Sequence, residues 1–396
     1  MPKLPRLQDR SSGVLLHLSS LPGPGSVGTL GAPAHQFADQ LAEAGQRWWQ
    51  MLPVGPVGEA YSPYSSPSSF AGEPLFIDLT DLVARGYLTR SEARLTEPKT
   101  LQKTAYRSAL KEKNLLLRLA YGRAKRLMTG KSMVEFRRRE KFWLADYCLF
   151  AVLSRRFKTP KWWQWPKAFA DRDRHTLAGF RREASEELGF EEFCQFLFDR
   201  QWRDLRKHCK SLGIGLIGDI PIFVAAGSSD TWANRDSFLL KKNGAPAYVA
   251  GCPPDDFNAN GQLWGNALYD WNRLKRQRFP LWMARLGRLY NQFDVCRLDH
   301  FIGFKRYWRI PAGAKTARGG KWQPAPGEVF FKAVTKRFGQ DKFIAEDLGS
   351  VSPAVRKLRD DFGFPGMKLI QFSFGEDPES QTHRPYNYSQ NSIVYT

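Results

Sequence analysis

Residues 293–304 read FDVCRLDHFIGF and predict a short buried strand that ends in charged side chains. Phe293 and Val295 suit a hydrophobic core. Arg297 and Asp299 are two residues apart, so in an extended segment their side chains point to the same side. At the carboxyl end of a strand in a parallel α/β barrel, such groups are catalytic. The alternative is an ion pair that only fixes a loop, and this segment alone leaves both interpretations open.

The same strand pattern recurs along the chain and predicts the fold class. Strand candidates are centred near residues 14, 48, 216, 295, 344, 369 and 394. Apolar residues at helical spacing separate several of them and predict helices at 33–45, 272–290, 328–338 and 351–362. Strands that alternate with helices are typical of a parallel sheet. We therefore predict an α/β fold, a (β/α)₈ TIM barrel with helical and loop insertions that lacks the end of strand 7 and the eighth βα unit.

The predicted domain organisation is a single catalytic barrel over residues 1–396 with two insertions. Residues 81–210 are helical in pattern, with charged and aromatic residues interleaved, and predict a helical insertion. Residues 225–270 predict an active-site loop insertion. Within it, we expect residues 251–265 to form one long loop, and loops of that length in compact folds are usually lids or binding loops.

Composition narrows the class of protein. The net charge of +21 would suit nucleic acid, but the charge is spread through amphipathic sequence between residues 85 and 210, which favours a solvated helical surface. Nucleic acid is therefore not the expected partner. The five scattered cysteines form no C-x-x-C pair, and the sequence has neither a secretory signal nor an apolar run long enough for a membrane span. These features predict a cytoplasmic protein without a membrane partner, and the thirteen tryptophans weakly favour a carbohydrate ligand.

Acidic residues end three of the buried segments. Asp219, Asp299 and Glu346 with Asp347 follow apolar runs and would open onto one rim of a barrel. A facing carboxylate pair is what glycosidic bond chemistry needs. A metal site is the other use of such a cluster, but no Asp-x-Asp-x-Asp loop is present and His300 has no second histidine at ligand spacing. The sequence also lacks a G-x-S-x-G elbow and a P-loop, so we expect neither a metal nor a cofactor.

Seven segments together carry a family resemblance over essentially the whole chain. They are GVLLHLSSLPGP, SPYSSPSSFAG, GDIPIFVA, PPDDFNANGQLWGNALYDW, FDVCRLDHFIGF, FIAEDLG and FPGMKLIQFSF. In this order they resemble the 4-α-glucanotransferases of the amylomaltase or disproportionating-enzyme type, in the α-amylase clan. The resemblance implies transfer of α-1,4-glucan segments from a glucan donor to glucose or a maltooligosaccharide acceptor, by a retaining double displacement.

The resemblance also implies a role for each matching residue. Asp299 would be the nucleophile, and Glu346 the acid and then the base, with their carboxyl groups about 5–5.5 Å apart as retention requires. Arg297 would hold Asp299 ionised and oriented, and Tyr64 would stack beside the cleaved sugar. The resemblance places six further residues along the glucan groove: Ser62, Asp219, Asp255, Gln262, Trp264 and Asp347.

Two further expectations concern activity. The lid over 251–265, with Phe257 and Trp264, would exclude water and hold the acceptor, so Trp264→Ala should raise the ratio of hydrolysis to transfer. The family pattern continues into Gly-Thr-His-Asp-Asn directly after the position of Thr396. From this difference we expect weak or no transferase activity from the 396-residue chain. The alternatives are an α-glucan hydrolase of the same clan and a non-catalytic protein that binds glucan or nucleic acid.

Overall fold

The computed structural model describes residues 2–23, 27–58, 61–93, 106–255, 258–349, 351–376 and 378–396. In this part of the chain the strands are β1 (Gly13–Leu15), β2 (Trp48–Gln50), β3 (Gly215–Pro221), β4 (Val224–Ala225), β5 (Tyr248–Cys252), β6 (Gln262–Ala267), β7 (Val295–Asp299), β8 (Arg306–Pro311), β9 (Lys321–Pro324), β10 (Phe343–Ala345), β11 (Gly366–Leu369) and β12 (Ser392–Tyr395).

The α-helices surround these strands. Within the described residues they are α1 (Ala32–Glu43), α2 (Leu79–Ala84), α3 (Tyr106–Arg123), α4 (Lys131–Arg139), α5 (Leu144–Arg156), α6 (Lys167–Ala170), α7 (Arg174–Glu183), α8 (Ser185–Leu212), α9 (Ser229–Ala233), α10 (Trp271–Arg276), α11 (Pro280–Gln292), α12 (Gly327–Phe338), α13 (Pro353–Asp361) and α14 (Pro378–Gln381).

The main sheet has seven parallel strands in the order β1-β2-β3-β7-β10-β11-β12. Each of the seven predicted strand positions falls in one of these strands, so the predicted parallel α/β sheet is confirmed. The sheet is curled. Its last strand and its second strand approach each other, and the Tyr395 hydroxyl of the last strand donates to Oε1 of Gln50 in the second strand at 2.7 Å. This curvature is that of a TIM-barrel-like fold.

The inner face of the curled sheet is filled by apolar side chains. One comes from each of five strands, and they pack together with the partly buried Leu7 of the N-terminal arm: Trp48, Ile217, Val295, Ile344 and Met367. Burial of each such side chain contributes about 1.5–3 kcal/mol. A larger core lies between the outer face of the sheet and the helices. The charged ends of the strands therefore stand on a rigid support.

The segment 81–210 is helical in its described part, as its pattern predicts, and α8 is its longest helix with 28 residues. This helix ends at Gly213, whose φ of 75° is left-handed and favours glycine. None of the described helices is both long enough and apolar enough to cross a membrane. The predicted helix at 272–290 is instead two helices, α10 and α11. Pro280 lacks an N–H group, and the preceding Phe279 is left-handed at φ 56°, so the first helix cannot continue.

A second sheet was missed by the sequence analysis. Strands β4, β5, β6, β8 and β9 form an antiparallel sheet in the order β4-β6-β5-β8-β9. The expectation of one loop over 251–265 is therefore wrong, because both ends of that segment are strands and only residues 253–261 connect them. Gly251 and Gly265 weaken the strand pattern locally. The strands form because β5 pairs with the distant β8, whose Trp308 lies opposite Gly251.

Candidate active site

The register of the parallel strands brings the predicted catalytic residues to one place. Asp219 of β3 is paired with Arg297 of β7. Leu298 of β7 is paired with Ala345 of β10, so the next residues, Asp299 and Glu346, stand level with each other. Adjacent strands are about 4.7–4.9 Å apart. This backbone spacing favours the predicted carboxyl separation, which stays a prediction.

One nitrogen of Arg297 joins two carboxylates. Its Nη1 donates to Asp219 at 2.8 Å and 2.9 Å and to Oδ1 of Asp299 at 3.1 Å. The Tyr64 hydroxyl donates to Oδ2 of Asp219 at 2.7 Å. The side chain of Asp219 is 1% exposed and that of Asp299 is 27% exposed. Asp299 is therefore the carboxylate of this pair that a substrate can reach, while Asp219 orients Arg297 and Tyr64.

The protonation of Asp299 depends on opposing effects. Burial and the neighbouring Asp219 raise the pKa of Asp299 to about 7, and Arg297 opposes this rise. Burial also raises the pKa of Asp219, again against Arg297 and the Tyr64 hydroxyl. The expected effect of Arg297 on Asp299 is present, but burial and the second carboxylate outweigh it.

Glu346 has the higher pKa of the reachable pair. Burial and the charge of Asp299 raise the pKa of Glu346 to about 8. Two backbone N–H groups oppose this rise, because His300 donates to Oε2 at 2.6 Å and Leu348 to Oε1 at 3.2 Å. His300 can do so because its backbone is left-handed, at φ 52°. These two donors are not predictable from the sequence, since every residue except proline carries an N–H group and only the backbone conformation selects these two.

The loop that carries Tyr64 is fixed by buried polar contacts. Ser62 accepts the Tyr64 N–H at 3.3 Å through its hydroxyl, which holds the start of the loop. Further along, both the N–H and the hydroxyl of Ser69 donate to the buried Asp230. Gln195 of α8 then exchanges two hydrogen bonds with the backbone of Gly72, at 2.7 Å and 2.9 Å. The segment 62–72 is thus held by a contact within itself, by Asp230 and by helix α8.

The predicted lid residues lie around β6 and the turn before it. The Trp264 indole donates to Oε1 of Gln262 at 3.0 Å, and its ring meets the ring of His300 edge-on at 4.9 Å between centroids. Asp255 accepts the Asn258 N–H at 2.7 Å and closes the turn. Trp264 thus reaches His300, the residue whose backbone N–H contacts Glu346. Phe257 lies outside the described residues.

Asp347 does not join this group. Its carboxylate accepts the backbone N–H of Met367 at 2.8 Å and an ion pair from Arg359 of α13. The side chain therefore ties β10 to β11 and α13, and its predicted place in the glucan groove is not supported by these contacts. Among the described residues, no group of three or more His, Cys, Asp or Glu side chains is arranged to hold a metal ion.

The curled parallel sheet and its rim carboxylates define the class of TIM-barrel-like proteins with an acidic site at the carboxyl ends of the strands. The chain belongs to the 4-alpha-glucanotransferase family, whose model matches residues 16–396. It is 43% identical to the 4-alpha-glucanotransferase of Thermus thermophilus over 98% of this chain and 77% of that protein. It is 41% identical to that of Synechocystis over 98% of this chain and 78% of that protein.

Solved structures agree with this assignment. The amylomaltase of Streptococcus agalactiae, in complex with acarbose, superposes with a TM-score of 0.92 at 34% identity and covers 98% of this chain and 79% of its own. The amylomaltase of Corynebacterium glutamicum superposes with a TM-score of 0.75 at 18% identity, which supports the fold alone.

Proposed function

We propose that this protein transfers α-1,4-glucan segments from a maltooligosaccharide or starch donor to glucose or a maltooligosaccharide acceptor, through a covalent glucosyl-enzyme. The observation that carries the proposal is the level pairing of Asp299 and Glu346 on adjacent strands. A retaining mechanism uses two carboxyl groups about 5–5.5 Å apart. The family assignment supports the choice of an α-1,4-glucan as substrate.

In the first step the donor bond is cleaved. The Asp299 carboxylate attacks the anomeric carbon while Glu346 gives its proton to the glycosidic oxygen. The carbon–oxygen bond of the donor breaks, the leaving glucan departs with a new hydroxyl, and an ester joins the glucosyl group to Asp299. The 27% exposure of the Asp299 side chain supports this role over the buried Asp219.

In the second step the acceptor replaces the leaving group. Glu346, now ionised, takes the proton of an acceptor hydroxyl, whose oxygen attacks the anomeric carbon and releases Asp299. The His300 and Leu348 N–H groups suit the ionised form of Glu346, whereas burial suits the protonated form. Such opposing influences keep the pKa near neutrality, where one group can serve both as acid and as base.

The roles of Tyr64 and the lid follow from their contacts. With its hydroxyl engaged by Asp219, the Tyr64 ring is held beside the nucleophile, where a sugar ring can pack against it. Trp264 packs against His300, whose backbone N–H donates to Glu346, and Gln262 accepts the Trp264 indole N–H. We propose that this lid excludes water from the glucosyl-enzyme and thereby favours the acceptor hydroxyl.

The proposal is tested by trapping the covalent intermediate. A 5-fluoro-α-glucosyl fluoride donor should form an adduct that mass spectrometry assigns to the peptide containing Asp299. Asp299→Asn should form no adduct, and Asp361→Asn, a change in the surface helix α13, should react like the unaltered chain. An adduct on another residue, or no adduct with an acceptor-free donor, would contradict the mechanism.

Transfer and hydrolysis are separated by the products of maltotriose. A transferase yields a ladder of longer glucans, whereas a hydrolase of the same clan yields only glucose and maltose. For nucleic-acid binding, the relevant observation is that several arginines of the helical insertion are paired with acids of the same insertion, as in Arg118–Glu187, Arg137–Glu192 and Arg156–Glu183. This pairing favours a solvated protein surface over a phosphate-binding one.

A further inference from the structure

We propose that the hairpin β8–β9, residues 306–324, holds the described end of the lid turn, residues 258–261, in place, and that Arg318 is a positioning residue for transfer over hydrolysis. The inference rests on the proposed function. Neither Arg318 nor the hairpin belongs to the segments that carry the family resemblance. The hairpin follows the nucleophile strand in the chain and lies in the same antiparallel sheet as the strands that flank the lid.

The connection between β8 and β9 is itself firmly seated. Its Ala317 is fully buried, in a small cluster with Val249 of β5 and Ile310 of β8. The Trp308 indole donates to the carbonyl oxygen of Ala317 at 2.9 Å. Gly320 lies so close to this indole that a Cβ atom there would be 2.2 Å from its nitrogen. Any movement of residue 317 therefore has to disturb the sheet below it.

Two consecutive residues of this connection hold two consecutive carbonyl groups of the lid. The Ala317 N–H donates to the Asn260 oxygen at 3.0 Å, and Nε of Arg318 donates to the Ala259 oxygen at 2.8 Å. The next lid residue, Gly261, is left-handed at φ 66°, and a Cβ atom there would be 2.9 Å from that of Ala317. The lid turn is thus fitted against the hairpin at three successive positions.

The lid turn leads directly to the residues beside the acid. Gly261 is followed by Gln262, which accepts the Trp264 indole N–H, and Trp264 packs edge-on against His300. His300 in turn donates its backbone N–H to Glu346. Loss of the Arg318 contact should loosen the turn at 259–261 and let water approach the glucosyl-enzyme, while Asp299 and Glu346 keep their strand positions.

The test compares two substitutions in the same connection. Arg318→Met keeps the aliphatic stem and removes the donor to Ala259. Lys315→Met makes the same kind of change at an exposed side chain nearby. Arg318→Met should raise the ratio of hydrolysis to transfer about threefold to tenfold, the effect of one typical hydrogen bond at an exposed position, and raise the KM for the acceptor more than it lowers kcat. Lys315→Met should leave both unchanged.

Hydrogen exchange gives a second measurement that needs no turnover. The amides of Asn258 and Gly261, which donate within the turn, should exchange faster in Arg318→Met, and those of β7 and β10 should not. Unchanged exchange in the turn, or an unchanged product ratio, would overturn the role of Arg318. Trp264→Ala distinguishes this failure from failure of the lid itself. If that variant raises hydrolysis and Arg318→Met does not, only the inference on the hairpin is lost.

Discussion

Arg297 organises the site through a single nitrogen. Its Nη1 contacts both oxygens of Asp219 and one oxygen of Asp299, so the proposed nucleophile shares its counter-ion with a buried carboxylate. A cation that is shared by two carboxylates stabilises each negative charge less than a cation paired with one carboxylate alone. Burial and the charge of Asp219 outweigh Arg297 and raise the pKa of Asp299 to about 7. We therefore expect the proposed nucleophile to be ionised only toward the upper part of the physiological pH range.

The pH dependence of kcat/KM follows from these two pKa values. Protonation of Asp299 removes the nucleophile, so activity should fall as the pH drops below about 7. Deprotonation of Glu346 removes the acid, so activity should also fall as the pH rises above about 8. Asp219→Asn removes a neighbouring negative charge and should move the acidic limb to lower pH by about one unit, without moving the basic limb.

A pH profile of kcat/KM for the unaltered chain and for Asp219→Asn checks this. The control is Asp361→Asn, which changes the same functional group at the protein surface. An acidic limb that stays in place or moves to higher pH would show that Asp219 does not set the pKa of the nucleophile.

The helix α8 contributes no side chain to the carboxylate site, but it holds the segment that follows the Tyr64 loop. Its Gln195 and Gln201 each exchange two hydrogen bonds with the backbone of one residue, Gly72 and Asp78 respectively. Each side-chain amide thus satisfies both the N–H and the carbonyl group of one residue, as the backbone of a neighbouring strand would. The helix α8 therefore fixes the backbone of the segment that follows Tyr64.

Gln195→Leu should destabilise the protein and weaken substrate binding. It removes both partners of a buried peptide group, which costs about 1–3 kcal/mol of unfolding free energy. The KM for maltotriose should rise, because the Tyr64 loop loses its anchor at Gly72. Urea unfolding and steady-state kinetics measure the two effects, with Gln277→Leu at an exposed position as the control. A stability loss without a change in KM would confine α8 to a structural role.

The sequence predicted the strands of the main sheet because most of them are short apolar runs. The strands β2, β3 and β10 are buried almost throughout, whereas β1 and β12, at the two ends of the sheet, are exposed or partly buried. The sequence predicted Asp299 and Glu346 because charges at the end of such strands are conspicuous. The antiparallel sheet was not predictable in the same way, since Gly251 and Gly265 interrupt its strands and their partner β8 is distant in sequence. The ion pair of Asp347 with Arg359 was not predictable either. Glu346 and Asp347 are adjacent acids, and the sequence does not show which of them points toward the site.

At the scale of the whole molecule, the N-terminal arm belongs to the barrel. Leu7 packs against the apolar layer inside the curled sheet, and the Lys3 carbonyl accepts a hydrogen bond from Arg47 at 2.5 Å. The arm also covers Gly215 at the start of β3, where Pro5 lies 3.2 Å from the position of a Cβ atom. The amino-terminal ends of the strands are thus shielded by residues that precede β1.

Leu7→Ala should lower the unfolding free energy by about 1–2 kcal/mol, since the side chain is partly buried. The loss should appear in chemical denaturation, with the pH profile unchanged because the carboxylates lie at the opposite ends of the strands. Leu115→Ala removes a side chain from a residue that is 62% exposed and should cost almost nothing. Equal losses for the two variants would show that the arm does not support the barrel.

The pairing of Ala345 with Leu298 fixes the distance between the backbones of the next residues, 299 and 346. The backbones of residues 299 and 346 are one strand spacing apart, and a side-chain substitution does not alter this spacing. The separation of the two carboxyl groups therefore depends on the lengths of the two acidic side chains. Removing one methylene from residue 346 shortens its reach by about 1.5 Å. In a retaining enzyme the two carboxyl groups are about 5–5.5 Å apart, whereas a gap of about 6.5 Å or more lets a water molecule fit between them and the product inverts. We therefore expect the side-chain lengths of residues 299 and 346, on a fixed backbone spacing, to decide whether the product retains or inverts its configuration.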